Sequence, residues 1–117
     1  MPNKISPHFL RAEFACKCGC GFDTVDVDTL AVLEALRTHF GRPVIINSGC
    51  RCPDYNRRVG GAPNSQHTLG RAADIRVQGV KSDDVFDWIA ANFPSASLGR
   101  YSTFTHVDTR SNGPARW

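Results

Sequence analysis

His67, Asp74 and His106 supply a nitrogen, an oxygen and a nitrogen donor, the ligand set of a catalytic zinc that keeps its fourth position for water. Seven residues from His67 to Asp74 let a loop turn into a strand, and an antiparallel neighbour can bring His106 opposite Asp74 with Cβ atoms about 5 Å apart. Composition weighs evenly against this, because four His and eleven acidic residues furnish some His/Asp pair by chance. The cysteines raise a second metal chemistry. Cys16, Cys18 and Cys20 alternate, as do Cys50 and Cys52, and alternate residues of an extended segment point the same way, so four thiolates could surround a structural zinc. The spacing is not the usual two-residue knuckle, and the expectation is buried or free thiols.

Positioning these groups falls to a small set of elements. Asp26 to Phe40 carries apolar residues at Leu30, Leu33, Leu36 and Phe40, with Val27 and Val32 on the same broad face, which is helical spacing. Gly41 and Pro43 end it. Val44 to Ile46 reads as a buried strand. The turn formers Gly60 to Gln66 bring in His67 from a loop. Ala72 to Val77 alternates, with Ala73, Ile75 and Val77 on one face and Ala72, Asp74 and Arg76 on the other. Ser82 reads as the cap of a second helix closed by Pro94. Phe104 to Thr109 is a further strand with Phe104, His106 and Asp108 on one face. The expected fold is α+β, a small, mainly antiparallel sheet with two main flanking helices. One domain spans 1–117, with 1–13 as an N-terminal arm.

At 117 residues, 41% hydrophobic and 21% charged, the chain suits one modest globular core and excludes a disordered or collagenous protein. No apolar run approaches the roughly 20 residues of a membrane span, so no membrane insertion is expected. The first residues lack a signal-peptide apolar core, which gives an expectation of synthesis in a cytoplasm. Five Cys is an odd number, so one chain cannot pair them all. The net charge of +3 does not choose a partner. Arg51, Arg57, Arg58, Arg71 and Arg76 form a basic belt that a nucleic-acid reading would use, yet only Tyr55 lies among them to stack on bases. His39, in the last turn of the first helix, complements its dipole without further role.

Ser48-Gly49-Cys50-Arg51, then Ser65-Gln66-His67-Thr68-Leu69-Gly70-Arg71-Ala72-Ala73-Asp74, then His106-Val107-Asp108 resemble, in order, the motifs of the zinc D-Ala-D-Ala carboxypeptidase family. That family is related to the lysostaphin and hedgehog folds and includes peptidoglycan endopeptidases of bacteriophages. The resemblance runs from about Phe14 to the C-terminus. It implies that His67, Asp74 and His106 hold a catalytic zinc, that Arg51 holds a substrate carboxylate, and that Ser65 hydrogen-bonds substrate. A planar guanidinium suits the carboxylate task.

One departure matters. Many relatives carry an acid three residues before the last ligand, where it serves as general base; here that position is Thr103, which cannot take a proton at neutral pH. Asp108, sharing a strand face with His106, is the substitute, either as base or as partner of the ligand's second nitrogen. A second alignment makes Asp108 the ligand and His106 the proton carrier; imidazole is the commoner zinc donor, which favours His106. The function implied is a zinc metallopeptidase that hydrolyses amide bonds in peptidoglycan stem peptides, as a carboxypeptidase or an endopeptidase. The implied setting is a phage or prophage endolysin, monomeric, made in the host cytoplasm and acting in the wall after release. A zinc-holding module that binds peptidoglycan or a partner without catalysis is the alternative, and nucleic-acid binding ranks behind it.

Overall fold

The computed structural model describes residues 4–117. A short hairpin, β1 (Lys4–Ser6) and β2 (Phe9–Leu10), leads through a 3-10 turn at Arg11–Phe14 to helix α1 (Val27–Phe40). There follow β3 (Val44–Ser48), a short α2 (Pro53–Arg58), a 3-10 turn at Gln66–Leu69, β4 (Ala72–Val77), α3 (Ser82–Asn92), β5 (Ser97–Arg100) and β6 (Thr105–Asp108). The main sheet has the order β3-β4-β6-β5, and every neighbouring pair is antiparallel. Helices α1 and α3 pack on the sheet and on each other.

Period-two alternation divides the sheet by function. Ala73, Ile75, Val77 and Val107 enter the core with Leu33, Leu36 and others from the helices, which leaves Asp74, His106 and Asp108 for the opposite face. Register then does the placing: Asp74 pairs with His106 across β4 and β6. On the other side a bulge between Ile46 and Ser48 sets Ser48 opposite Asp74. That extra residue re-aims the end of β3 and the turn that follows it.

The predicted helices form with small shifts. The α1 cap is the Asp26 carboxylate, which accepts from the Asp28 amide at 3.2 Å, and Gly41 closes the helix at φ 63°, where a β-carbon would be strained. Val27, expected on the apolar face, is 78% exposed because it starts the helix on the solvent side. Ser82 begins α3 rather than capping it; the cap position is Lys81 and makes no side-chain bond.

The expected N-terminal arm is corrected: from Lys4 onward the segment packs on the body. Phe9 and Phe14 are each 1% exposed with ring centroids 5.8 Å apart, and burying two phenyl rings outweighs the entropy of a loose tail. Glu34 of α1 pins it, accepting from Ser6 Oγ at 2.5 Å and facing His8 Nδ1 at 2.7 Å. Strand β5 is covered on its outer side by residues 115–117, through Leu98 N to Ala115 O at 2.9 Å and Trp117 N to Leu98 O at 3.1 Å. Among the described residues no helix is long and apolar enough to cross a membrane.

Candidate metal centre and its cleft

Ser65 Oγ accepts from the His67 amide at 3.2 Å and so caps the 3-10 turn that delivers His67. The turn ends at Gly70, φ 70°, where a Cβ would lie 2.8 Å from Thr24; only glycine fits. His67 is 2% exposed. Its Nδ1 meets the Gly49 carbonyl at 2.6 Å, and because a carbonyl only accepts, the proton sits on Nδ1 and the lone pair on Nε2. Nε2 points at Asp74 Oδ1, 3.2 Å away.

His106 is arranged the other way round with the same result. Its Nε2 faces Asp108 Oδ2 at 2.8 Å. Asp108 is fixed as an acceptor by Arg110, whose Nε and Nη2 donate to its two oxygens at 2.9 and 2.7 Å. Its Nδ1 faces Asp74 Oδ1 at 2.9 Å, so each ring nitrogen meets a carboxylate; an ion held between the three groups would take the Nδ1 lone pair while Nε2 keeps its proton for Asp108. In that tautomer three lone pairs would converge on the ion.

Such a constellation demands positive charge. A tetrahedral zinc with bonds of about 2.0–2.1 Å separates its donors by roughly 3.3–3.4 Å, close to the 3.2 and 2.9 Å observed. The three donors lie within 4.8 Å of one another and all three residues are buried. Protonation answers the same demand: burial works against an imidazolium at His106, but the oxygens of Asp108 and Asp74 outweigh it and raise its pKa. Burial would raise Asp74, yet bonds from His106 and His67 hold its carboxyl well below the usual range. Nitrogen, carboxylate and nitrogen donors at this spacing fit zinc.

Arg51 stands beside this centre. Its Nη2 donates to Asp74 Oδ2 at 3.1 Å, its Nε to Ser48 Oγ at 3.0 Å and its Nη1 to Asn56 Oδ1 at 3.2 Å. Asn56, 3% exposed, is held in turn by donating to Ala62 O at 2.8 Å. A Cβ on Gly61 would fall 2.1 Å from Asn56 Oδ1, so glycine there keeps this chain of contacts intact.

The centre lies in a cleft of about 500 Å³. One wall is aromatic: Tyr101 stacks on Phe104 with centroids 4.4 Å apart, and Trp117 lies 5.0 Å from the His106 ring. The other is the polar loop from Gly60 to Gln66. Gln66 belongs to this wall, its Oε1 enclosed and without a hydrogen-bond partner among the described residues.

The sequence-derived residues His67, Asp74, His106, Arg51 and Ser65 therefore meet at one cleft, with Ser65 already occupied in capping. Asp108 needs a correction. It is 0% exposed and sits behind the His106 ring, outside the donor trio. Burial would raise its pKa, but Arg110 and His106 hold it well below the usual carboxylate range. A carboxylate so enclosed, with both oxygens already accepting from His106 and Arg110, is not placed to take a proton from the cleft. Of the roles expected for it, geometry leaves the orienting of His106. Thr103 is exposed and lines no part of the cleft. The basic belt is no continuous track, since Arg51 turns inward to Asp74 and Arg57 pairs with Asp54.

Sequence reasoning missed Ser48, Asn56, Gln66 and Arg110. Arg110 was findable, because it follows Asp108 by two residues and so shares its side of the chain. Asn56 was hidden in a helix of six residues, too short to show a periodicity.

Fold and donor set together give a small α+β domain whose His67, Asp74 and His106 could hold a metal ion in an open cleft. The Peptidase M15 family model matches residues 7–108, and the chain belongs to that family. It is 31% identical over 118 residues to the peptidoglycan L,D-endopeptidase MepK of Escherichia coli strain K12, covering 93% of this chain and 60% of that protein. A zinc D-Ala-D-Ala carboxypeptidase of Streptomyces albus G is 44% identical over 48 residues, 40% of this chain and 19% of that protein. The chain thus spans less than two thirds of the length of either relative.

Proposed function

We propose that this chain is a zinc metallopeptidase that hydrolyses amide bonds in the stem peptides of peptidoglycan. The observation that carries the reading is the convergence of three buried ligand atoms, from His67, Asp74 and His106, at the floor of an open cleft. His67, Asp74 and His106 would hold the ion. Bound there, zinc supplies Lewis-acid polarisation of a carbonyl and acidifies water toward neutrality. Arg51 uses three of its five N–H donors on Ser48, Asn56 and Asp74, and offers the other two to a substrate carboxylate or carbonyl. The Ser65 hydroxyl, which accepts from the His67 amide, keeps its proton to donate to substrate. Among the described residues Asp74 is the one side-chain carboxylate lining the cleft. The proton acceptor is then a carboxylate that enters with the substrate, unless Tyr101 is ionised in the complex, and Tyr101→Phe separates the two.

Both relatives named above support a peptidoglycan substrate, by their names a carboxypeptidase and an L,D-endopeptidase. The single domain over 1–117, the monomeric state and the setting of a phage or prophage endolysin, made in the host cytoplasm and acting in the wall, belong to the same proposal. The phage or prophage setting rests on the family resemblance. The lack of an acid near Thr103 favours one second reading, a zinc-holding module that binds stem peptides without cutting them. Mass spectrometry of purified muropeptides after incubation with zinc-loaded protein decides. Release of terminal alanine identifies a carboxypeptidase, an internal cut identifies an endopeptidase, and bound but intact muropeptide identifies the module.

A further inference from the structure

Four of the five cysteines come together away from the cleft floor. The sulfurs of Cys16, Cys18, Cys20 and Cys52 lie within 4.8 Å of one another, with Cys16 to Cys18 at 3.4 Å and Cys18 to Cys52 at 3.6 Å. A tetrahedral zinc with Zn–S bonds of about 2.3 Å needs sulfurs roughly 3.8 Å apart. We propose that these four thiolates form a second, structural zinc site.

Local backbone explains how a Cys-x-Cys-x-Cys run can surround one ion. In an extended strand, residues two apart are separated by about 6.5–7 Å, too far for three thiolates on one centre. The chain here curls instead: Gly19 N bonds to Cys16 O at 3.2 Å, and Gly19 and Gly21 take φ of 82° and 92°, a region glycine enters freely. Cys16, Cys18 and Cys20 then share a focus, and Cys52 closes it from the cap of α2. Backbone amides are aimed at the sulfurs, Cys52 N at Cys16 Sγ and Tyr55 N at Cys52 Sγ, both at 3.4 Å. Amide donors of this kind offset the charge of a thiolate centre.

Cys50 stays outside. It is 2% exposed and its Sγ is directed at the carbonyls of Phe14 and Phe22, at 3.2 and 2.9 Å. No two of the five are disulfide-bonded. Loading is balanced as one Zn²⁺ replacing four thiol protons, with four Zn–S bonds formed and four protons released to solvent. The site staples the 16–20 loop to the turn at 49–52. That turn orients the catalytic ligands, since Gly49 O holds His67 Nδ1, Arg51 N bonds to His67 O at 2.9 Å, and the Arg51 side chain reaches Asp74.

Zinc and iron are counted by elemental analysis in the purified wild type, His67→Ala and the double variant C18S/C52S. Two zinc ions per chain are expected in the wild type and one in each variant. Cobalt substitution of His67→Ala supplies a readout that does not depend on whether the double variant folds: thiolate-to-cobalt charge transfer and intense visible bands are expected. One zinc in the wild type and none in His67→Ala, iron in place of zinc, a Cys16–Cys18 disulfide found by peptide mapping, or cobalt without charge transfer overturns the site. Each of these leaves the His/Asp/His reading to be judged separately, from zinc retained by C18S/C52S.

Discussion

Replacing Asp108 by Asn tests how the centre is oriented. In the native arrangement Asp108 accepts on both sides, from His106 Nε2 at 2.8 Å and from Arg110 at 2.7 and 2.9 Å. An amide of the same shape has one accepting and one donating end. With its oxygen toward His106, its NH2 group confronts the Arg110 guanidinium. With its oxygen toward Arg110, its NH2 group drives the imidazole proton from Nε2 to Nδ1 and removes the lone pair that faces Asp74. Either state forfeits a charge-assisted bond in a fully buried place, a loss of about 1.5–3 kcal/mol. Partners of metal-binding histidines typically govern affinity by about 10–100-fold, and the forced choice of tautomer places this variant toward the upper end. Competition against a chelator of known affinity measures it, with His106→Ala as the reference for complete loss. Unchanged zinc affinity would refute the tautomer argument. If affinity holds while the pH–rate profile loses its acidic limb, Asp108 is the general base after all.

Three further outcomes follow from other contacts. Arg51→Lys keeps the charge but cannot reach Asp74, Ser48 and Asn56 at once; loss of one bond to a charged group predicts a fall in kcat/KM of about 10–150-fold, measured on a free-acid peptide and compared with its amide. Phe9→Ala should destabilise the fold by about 3–5 kcal/mol in denaturant titration, whereas a residue on a loose arm would cost nothing. At Glu34 burial would raise the carboxyl pKa, but bonds from Ser6 and His8 lower it below its ordinary value. Its contribution to stability is then present above that value and lost as pH falls through the lowered one. Glu34→Gln should flatten that part of the stability–pH curve in urea titrations from pH 3 to 7, and an unchanged slope counts against the contact.

The central placement was legible because two simple periodicities carry it. Alternation along 72–77 and 104–109 puts Asp74 and His106 on the strand faces turned away from the core, and antiparallel pairing makes them neighbours. Less was legible where a few long-range contacts decide. Strand β5 shows no alternation, and its Gly99 is required because the Trp117 indole occupies the place of a Cβ, 2.6 Å away. Phe9 lies in a segment, Ile5 to Phe14, whose apolar residues keep neither helical nor strand spacing, so no periodicity marks it as core. The cysteine run misled for a physical reason: alternate spacing was read as extended chain, while Gly19 and Gly21 were the signal for a curl. Alternation puts Asp108 on the strand face of His106, but only its burial and the Arg110 contacts reveal that it is sealed from the cleft.

The central claim is tested most directly by following muropeptide cleavage as metal is removed and returned. Wild-type protein stripped by a strong chelator should lose hydrolysis, and zinc added back should restore it in proportion to refilling of the His67/Asp74/His106 site. His106→Ala, folded by circular dichroism, should stay inactive at every zinc concentration. Full cleavage by the metal-free wild type, or by His106→Ala, would contradict the account.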